Sequence, residues 1–288
     1  MTAKILKATH TRVASFLVLI PLVLTAAPVK KSRENFSEII QKAQNLVLQK
    51  NRPQALEVLS AGLKNEKPNS AAFKELKKNL NDMSRMFISE KAQQAYEFSL
   101  SLKRADPPQA FVKINDALRA EPENFTLLLE AARQNLMKGD CKAALDLGQT
   151  VQKINLLDDE LNLVLAQTKI CLNDLVGYAA IRDAAQVANS VSWLSLEIER
   201  DLKEKNLMKA KEALSQLRKI DKKYPEQHYW AWKIDTEQKV INQESAQDYK
   251  TECQNMTLAF YRRFILDPRL CTRVPEVEAF IKSQAQNP

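Results

Sequence analysis

Four cysteines, Cys141, Cys171, Cys253 and Cys271, are the residues with the most chemistry to offer. Their spacings of 30, 82 and 18 match no zinc ribbon or finger, whose ligands come in close pairs. A catalytic thiol needs a base, and His228 is the only histidine beyond position 10. One imidazole cannot build a two- or three-histidine metal site, and no H-E-x-x-H occurs. Paired acids stand at Asp158-Asp159-Glu160 and at Glu197 and Glu199. The first group reads as a helix start, where carboxylates complement the helix dipole. Four glycines in 288 residues leave no G-x-G-x-x-G and no G-x-x-x-x-G-K-[ST] loop to cradle a phosphate. These counts exclude the usual nucleotide-binding and zinc-hydrolase enzymes. The expectation is a chain with no catalytic residue, no metal and no cofactor.

Two further patches remain. His228-Tyr229-Trp230-Ala231-Trp232 is the densest aromatic run. It suits a binding wall, since such rings dominate interface hot spots, or a core helix. At helical spacing 228 and 232 share a face and 230 points away, so one tryptophan is expected outside. Arg262, Arg263, Arg269 and Arg273 suit either an anionic partner or a solvated face. Of three N-x-[ST] triplets, at Asn35, Asn124 and Asn255, the second also fits a helix N-cap.

The elements that position these residues begin after the first thirty. Lys4, Lys7 and Arg12 precede an apolar run, Val13 to Leu24, and then Thr25-Ala26-Ala27. This reads as a secretory signal peptide over 1–27, the run being short of the about 20 residues a span needs. Lys30, Lys31 and Arg33 beyond it suit an alternative, an uncleaved inner-membrane anchor. Removing 1–27 lowers the net charge from +8 by the three cations named and no anions. That mild excess permits weak contact with an anionic membrane surface but is too diffuse to indicate nucleic acid. An even number of cysteines in an exported chain suggests two disulfides, with three pairings possible by count.

The remainder repeats. Ala110-x3-Ile114-x2-Ala117-x4-Pro122, Ala144-x3-Gly148-x2-Val151 and Ala213-x3-Leu217-x2-Ile220-x4-Pro225 align, the first two 34 residues apart. Ala55-x3-Leu59-x2-Gly62 is a fourth copy and Tyr178 centres a weaker fifth. Ala43, Phe98, Ala132 and Ala166 each lie twelve residues before a repeat residue, placing a packing residue where two antiparallel helices touch. Lys50-Asn51-Arg52, Lys138-Gly139-Asp140 and Lys205-Asn206 read as the turns between them. The period breaks between Pro68 and Lys91, where an extra helix is expected near 70–87.

This pattern resembles the tetratricopeptide repeat (TPR), without its usual Trp-x2-Leu-Gly-x2-Tyr start and with Asp201 and Ser190 at positions that depart from it. The resemblance implies an all-α fold: a TPR-like right-handed superhelix of antiparallel helix pairs over 34–225, closed by a C-terminal helical cap over 226–288. Cap helices are expected at 227–243, 246–265 and 275–284. Stacking of this kind brings Cys141 beside Cys171, and pairing Cys253 with Cys271 would close the cap. In such repeats the first helix of each pair lines a concave groove, here with Ile40, Gln44, Ala95, Ser99, Leu129, Arg133, Leu163 and Gln167. That wall is apolar with isolated polar groups and suits an extended or helical apolar segment of a partner. The implied function is a non-enzymatic scaffold or adaptor of the bacterial periplasm or cell envelope that binds a protein or peptide partner.

Overall fold

The hairpin turns show why the helices stop where they do. In five of them the last turn of the first helix is followed by one residue in the left-handed region: Lys50, Gly139, Asn173, Lys205 and Lys239, with φ of 58° to 78°. The next N–H then reaches back across the helix end, as Asn51 to Leu46 O, Asp140 to Asn135 O, Asp174 to Lys169 O and Asn206 to Asp201 O. This satisfies a carbonyl that the helix end would otherwise leave open. The same Asn51, Asp140 and Asn206 accept a backbone N–H and so start the following helix. Stop and start signals are thus compressed into two adjacent residues, and the turn must be tight.

The computed structural model describes residues 35–103, 105–185, 190–256 and 270–286. Among these residues it contains fourteen α-helices and no strand. They are α1 (Phe36–Leu48), α2 (Arg52–Lys64), α3 (Ala71–Arg85), α4 (Glu90–Leu102), α5 (Pro107–Ala120), α6 (Phe125–Met137) and α7 (Cys141–Ile154). They continue with α8 (Asp159–Cys171), α9 (Leu175–Ala185), α10 (Val191–Lys203), α11 (Leu207–Ile220), α12 (Glu226–Glu237) and α13 (Gln243–Asn255). The last is α14 (Val274–Gln286). The expected signal segment 1–27 lies outside the described residues.

Helix pairs α4/α5, α6/α7, α8/α9, α10/α11 and α12/α13 follow one another, and each first helix from α6 onward touches the first helix of the next pair. The all-α row of antiparallel pairs is as expected. Its core is a succession of local clusters: Phe125, Ala132, Ala144 and Leu161 in one, Ala166, Tyr178 and Trp193 in the next. The repeat alanines are where helices touch, with Ala43, Ala55, Ala132, Ala144 and Ala166 fully buried. Gly148 serves the same end, since a Cβ there would stand 2.7 Å from Leu165 Cδ2. Chain burial is therefore shared between neighbours, as a stacked array requires.

Three expectations are corrected. Phe98 is 51% exposed, and Ser99 is buried against α5 with Oγ donating to Ala110 O at 2.8 Å. α4 thus turns Ser99, not Phe98, toward α5. The result is a face shifted by one residue, about 100° of helix. The cap helix expected over 227–243 ends at Glu237, because Lys239 turns left-handed and Asn242 starts α13. That expected over 246–265 is α13, which ends at Asn255; residues 257–269 lie outside the described set. The third correction concerns tryptophan: Trp230 and Trp232 are both buried, because α12 is enclosed by α10 and α11 on one side and α13 and α14 on the other.

The helix expected near 70–87 is α3, Ala71–Arg85. It packs on α1 and α2 and then against α6. Ile154 at the end of α7 and Leu157 in the connection to α8 complete its apolar cluster. The N-terminal helices are pinned there by polar contacts. Arg85 reaches Asp158 at 2.7 Å and Glu160 at 3.3 Å, and Asn155 Nδ2 donates to Asn81 Oδ1 at 2.7 Å. Arg52 pairs with Glu121 at 2.7 Å and also donates to Met86 O.

Candidate interaction site

The acids that could have done acid–base work are engaged in contacts that hold the fold. Asp158 is the N-cap of α8, accepting from the N–H groups of Glu160 and Leu161. Asp158 and Glu160 both meet Arg85, and Glu160 also meets Arg133 at 2.8 Å. Arg133 in turn approaches Glu130, which pairs with Lys103 at 2.9 Å inside the protein. The result is a chain of alternating charges, Lys103, Glu130, Arg133, Glu160, Arg85 and Asp158, across α4, α6, α8 and the end of α3. Burial alone would raise the Glu160 carboxyl, but Arg133 and Arg85 outweigh it and hold the group below the usual glutamate range. Glu197 pairs with Arg182 at 2.9 Å. Glu199 lies 3.8 Å from Arg273.

His228 is half-buried, with Nδ1 3.6 Å from Asp248, and burial pushes its imidazole below the usual value. Arg273 is no solvated cation: it pairs with Glu226 at 2.6 Å and lies over the rings of Tyr229 and Trp230. Arg262, Arg263 and Arg269 lie outside the described residues. Cys141 is bonded to Cys171, with Cα atoms 5.8 Å apart, and Cys253 to Cys271 at 5.6 Å. All four thiols are therefore spent. Among the described residues, no group of three or more His, Cys, Asp or Glu side chains could hold a metal ion. Among the same residues, no helix is long and apolar enough to cross a membrane.

The eight expected wall residues fall into two sets. Ile40 and Gln44 line an open groove of about 670 Å³ between α1 and α3, with Phe36 at its mouth. Ala95 lines a second groove between α4 and α5, beside exposed Phe98. Ser99, Leu129, Arg133, Leu163 and Gln167 are buried. Arg133 belongs to the charge chain, and Ser99 accepts from Gln134 Nε2 at 2.9 Å. Leu129 and Leu163 sit in the clusters of α6 and α8. Helical spacing alone could not separate these sets, because accessibility depends on which other helix lies over each face.

A cleft of about 510 Å³ opens elsewhere. It lies between the α4–α5 connection and the end of α6 on one side and the Cys253–Cys271 corner on the other, lined by Pro107, Met137, Leu270 and Val274 among others. Another groove of about 510 Å³ lies between α11 and the start of the cap. Sequence reasoning passed over this one. The signal available was the cation-rich stretch from Lys209 to Lys223, with only Glu212 and Asp221 against it.

No family model matches the chain, and no curated protein matches it. Among solved structures it is similar to a tetratricopeptide repeat protein from Parabacteroides merdae ATCC 43184. The identity is 16% and the TM-score 0.42, over 87% of this chain and 92% of the other.

Proposed function

We propose that this protein is a non-enzymatic scaffold of the bacterial periplasm or cell envelope that binds a partner polypeptide along its row of helix pairs. One observation carries the reading: the acid and histidine candidates for chemistry are engaged in contacts that close the fold, while open grooves lie between the helices, with Ile40, Gln44 and Ala95 in their linings. Ile40, Gln44 and Ala95 would touch the partner. Ser99, Leu129, Arg133, Leu163 and Gln167 would hold the wall in shape from behind. Two cystine bridges support an oxidising compartment, since such bonds persist outside the reducing cytosol.

The test is site-specific photo-cross-linking in the host cell, with benzoylphenylalanine at Gln44 or Ala95. The expected result is an adduct of discrete mass from these positions that disappears in an Ile40→Arg background for position 44. An unreacted chain at both positions would end the proposal. A second reading, a membrane-anchored form acting in envelope complex assembly, is favoured by Lys30, Lys31 and Arg33 just beyond the apolar run. An intact Met1 in the membrane fraction would select it, and a new N-terminus near residue 28 the soluble form.

A further inference from the structure

We propose that the groove between α11 and the cap binds an acidic segment of the partner polypeptide. Four cations line it: Lys211, Arg218, Lys219 and Lys222. All four are exposed. The one acid in the lining, Asp235, already accepts from Asn242 Nδ2 at 2.6 Å. Among the described residues, no ion pair joins any of the four to a carboxylate. A charge of this density without internal partners is an electrostatic target for an anion.

The shape selects a polypeptide over a flat anionic surface. The cations rim a concave groove whose floor is the buried Leu214, Ala231 and Ile234. A lipid headgroup plane would meet the rim and leave the floor uncovered, whereas an extended chain can enter. Ser215 and Ser245 stand in the lining and can hydrogen-bond a backbone. Lys211 and Arg218 are seven residues apart on one helix, about 10 Å along its axis. A chain in the polyproline II conformation covers about that distance in one turn of three residues and brings its side chain back to the same face. The segment that fits therefore carries acids at every third position with apolar residues between. This inference rests on the scaffold reading and specifies one part of its partner.

The test is fluorescence anisotropy at low ionic strength with the intact oxidised protein. The probe is a fluorescein-labelled peptide with glutamate at every third position and leucine or valine between, and its glutamine counterpart is the control. The glutamate peptide should bind, weaken as salt is added, and lose about ten-fold in affinity with Lys211→Glu/Arg218→Glu. Lys211→Ala/Arg218→Ala should give a smaller loss in the same direction. Lys74→Glu/Lys78→Glu makes the same change in net charge on α3 and should leave binding intact. Equal binding of the glutamine peptide, or equal losses from both charge-reversed pairs, would overturn the proposal. So would binding of vesicles of one part phosphatidylglycerol to three parts phosphatidylcholine through Lys211 and Arg218 without binding of the peptide. If Gln44 cross-links its partner and the groove fails these tests, the groove inference alone is wrong. If the peptide binds and no position cross-links, the scaffold reading is the one that falls.

Discussion

Glu226 accepts from Arg273 Nη1 at 2.6 Å while its other oxygen accepts from the Cys271 N–H at 2.7 Å and from Tyr249 Oη at 3.0 Å. The first residue of α12 thus holds together α13, the Cys271 corner and the start of α14. Its side chain is fully buried and that of Arg273 nearly so. A charge in that position is costly unless every lone pair is used. Glu226→Gln should lower the unfolding free energy by about 3 kcal/mol, because Arg273 loses the nearer of its two counter-charges, Glu199 standing 3.8 Å away. Glu276→Gln, which breaks the far more exposed pair with Lys233, should cost less than about 1 kcal/mol. Urea denaturation of the two variants side by side measures the difference.

Acid should weaken the protein in two steps. His228 is held below the ordinary histidine value of 6.5 by burial, against the opposing pull of Asp248. Its contribution is complete above that value, and falls as the unfolded chain takes up the proton that the folded imidazole refuses. Glu160 is held below the ordinary value of 4.5, with Arg133 and Arg85 overcoming burial. Its contribution is complete above 4.5 and falls as the pH drops toward the lower folded value. His228→Asn should flatten the first decline and Glu160→Gln the second. Thermal midpoints recorded across the acid range check both.

The left-handed turn residues should respond oppositely to substitution. Lys205, at φ 58°, carries a side chain in a conformation that glycine adopts without strain. Lys205→Gly should stabilise by about 0.5 kcal/mol, the relief of strain exceeding the added freedom of the unfolded chain. Gly139, at φ 78°, already has the favoured residue, and Gly139→Ala should cost about 1 kcal/mol. Chemical denaturation midpoints report the sign in each case.

Reduction should destabilise both the middle of the array and its cap. The Cys141–Cys171 bridge closes 30 residues and joins α7 to α8, and the Cys253–Cys271 bridge closes 18. Each should contribute about 3 kcal/mol by restricting the unfolded chain. Unfolding of the double variants Cys141→Ala/Cys171→Ala and Cys253→Ala/Cys271→Ala, with and without reductant, separates the two.

Much of the fold was legible because its determinants are local. Ala43, Ala55, Ala132 and Ala144 recur where helices touch, and a small residue followed by an antiparallel partner needs no distant information. Lys50-Asn51 and Lys205-Asn206 marked their turns for the same reason, each combining the end of one helix with the cap of the next. Phe98 misled because a spacing of twelve fixes the seam only to within a residue, and one residue of phase, about 100° of helix, separates the buried Ser99 from the exposed Phe98. The candidate wall was only partly legible. Gln44 and Gln167 occupy the same repeat position, yet one lines an open groove and the other is buried.

Helical periodicity, the repeat, the cysteine positions and the surplus of lysine around α11 were determined by the order of residues alone. The tertiary structure decided what covers each face. It placed α3 across from α6, spent Arg85, Arg133 and Glu160 on one another, and left Lys211 and Arg218 exposed along a groove. The reason is physical: a helix's pattern comes from neighbours three and four residues away, whereas burial and ion pairing depend on groups brought close from 70 or more residues away, as Arg85 and Glu160 are.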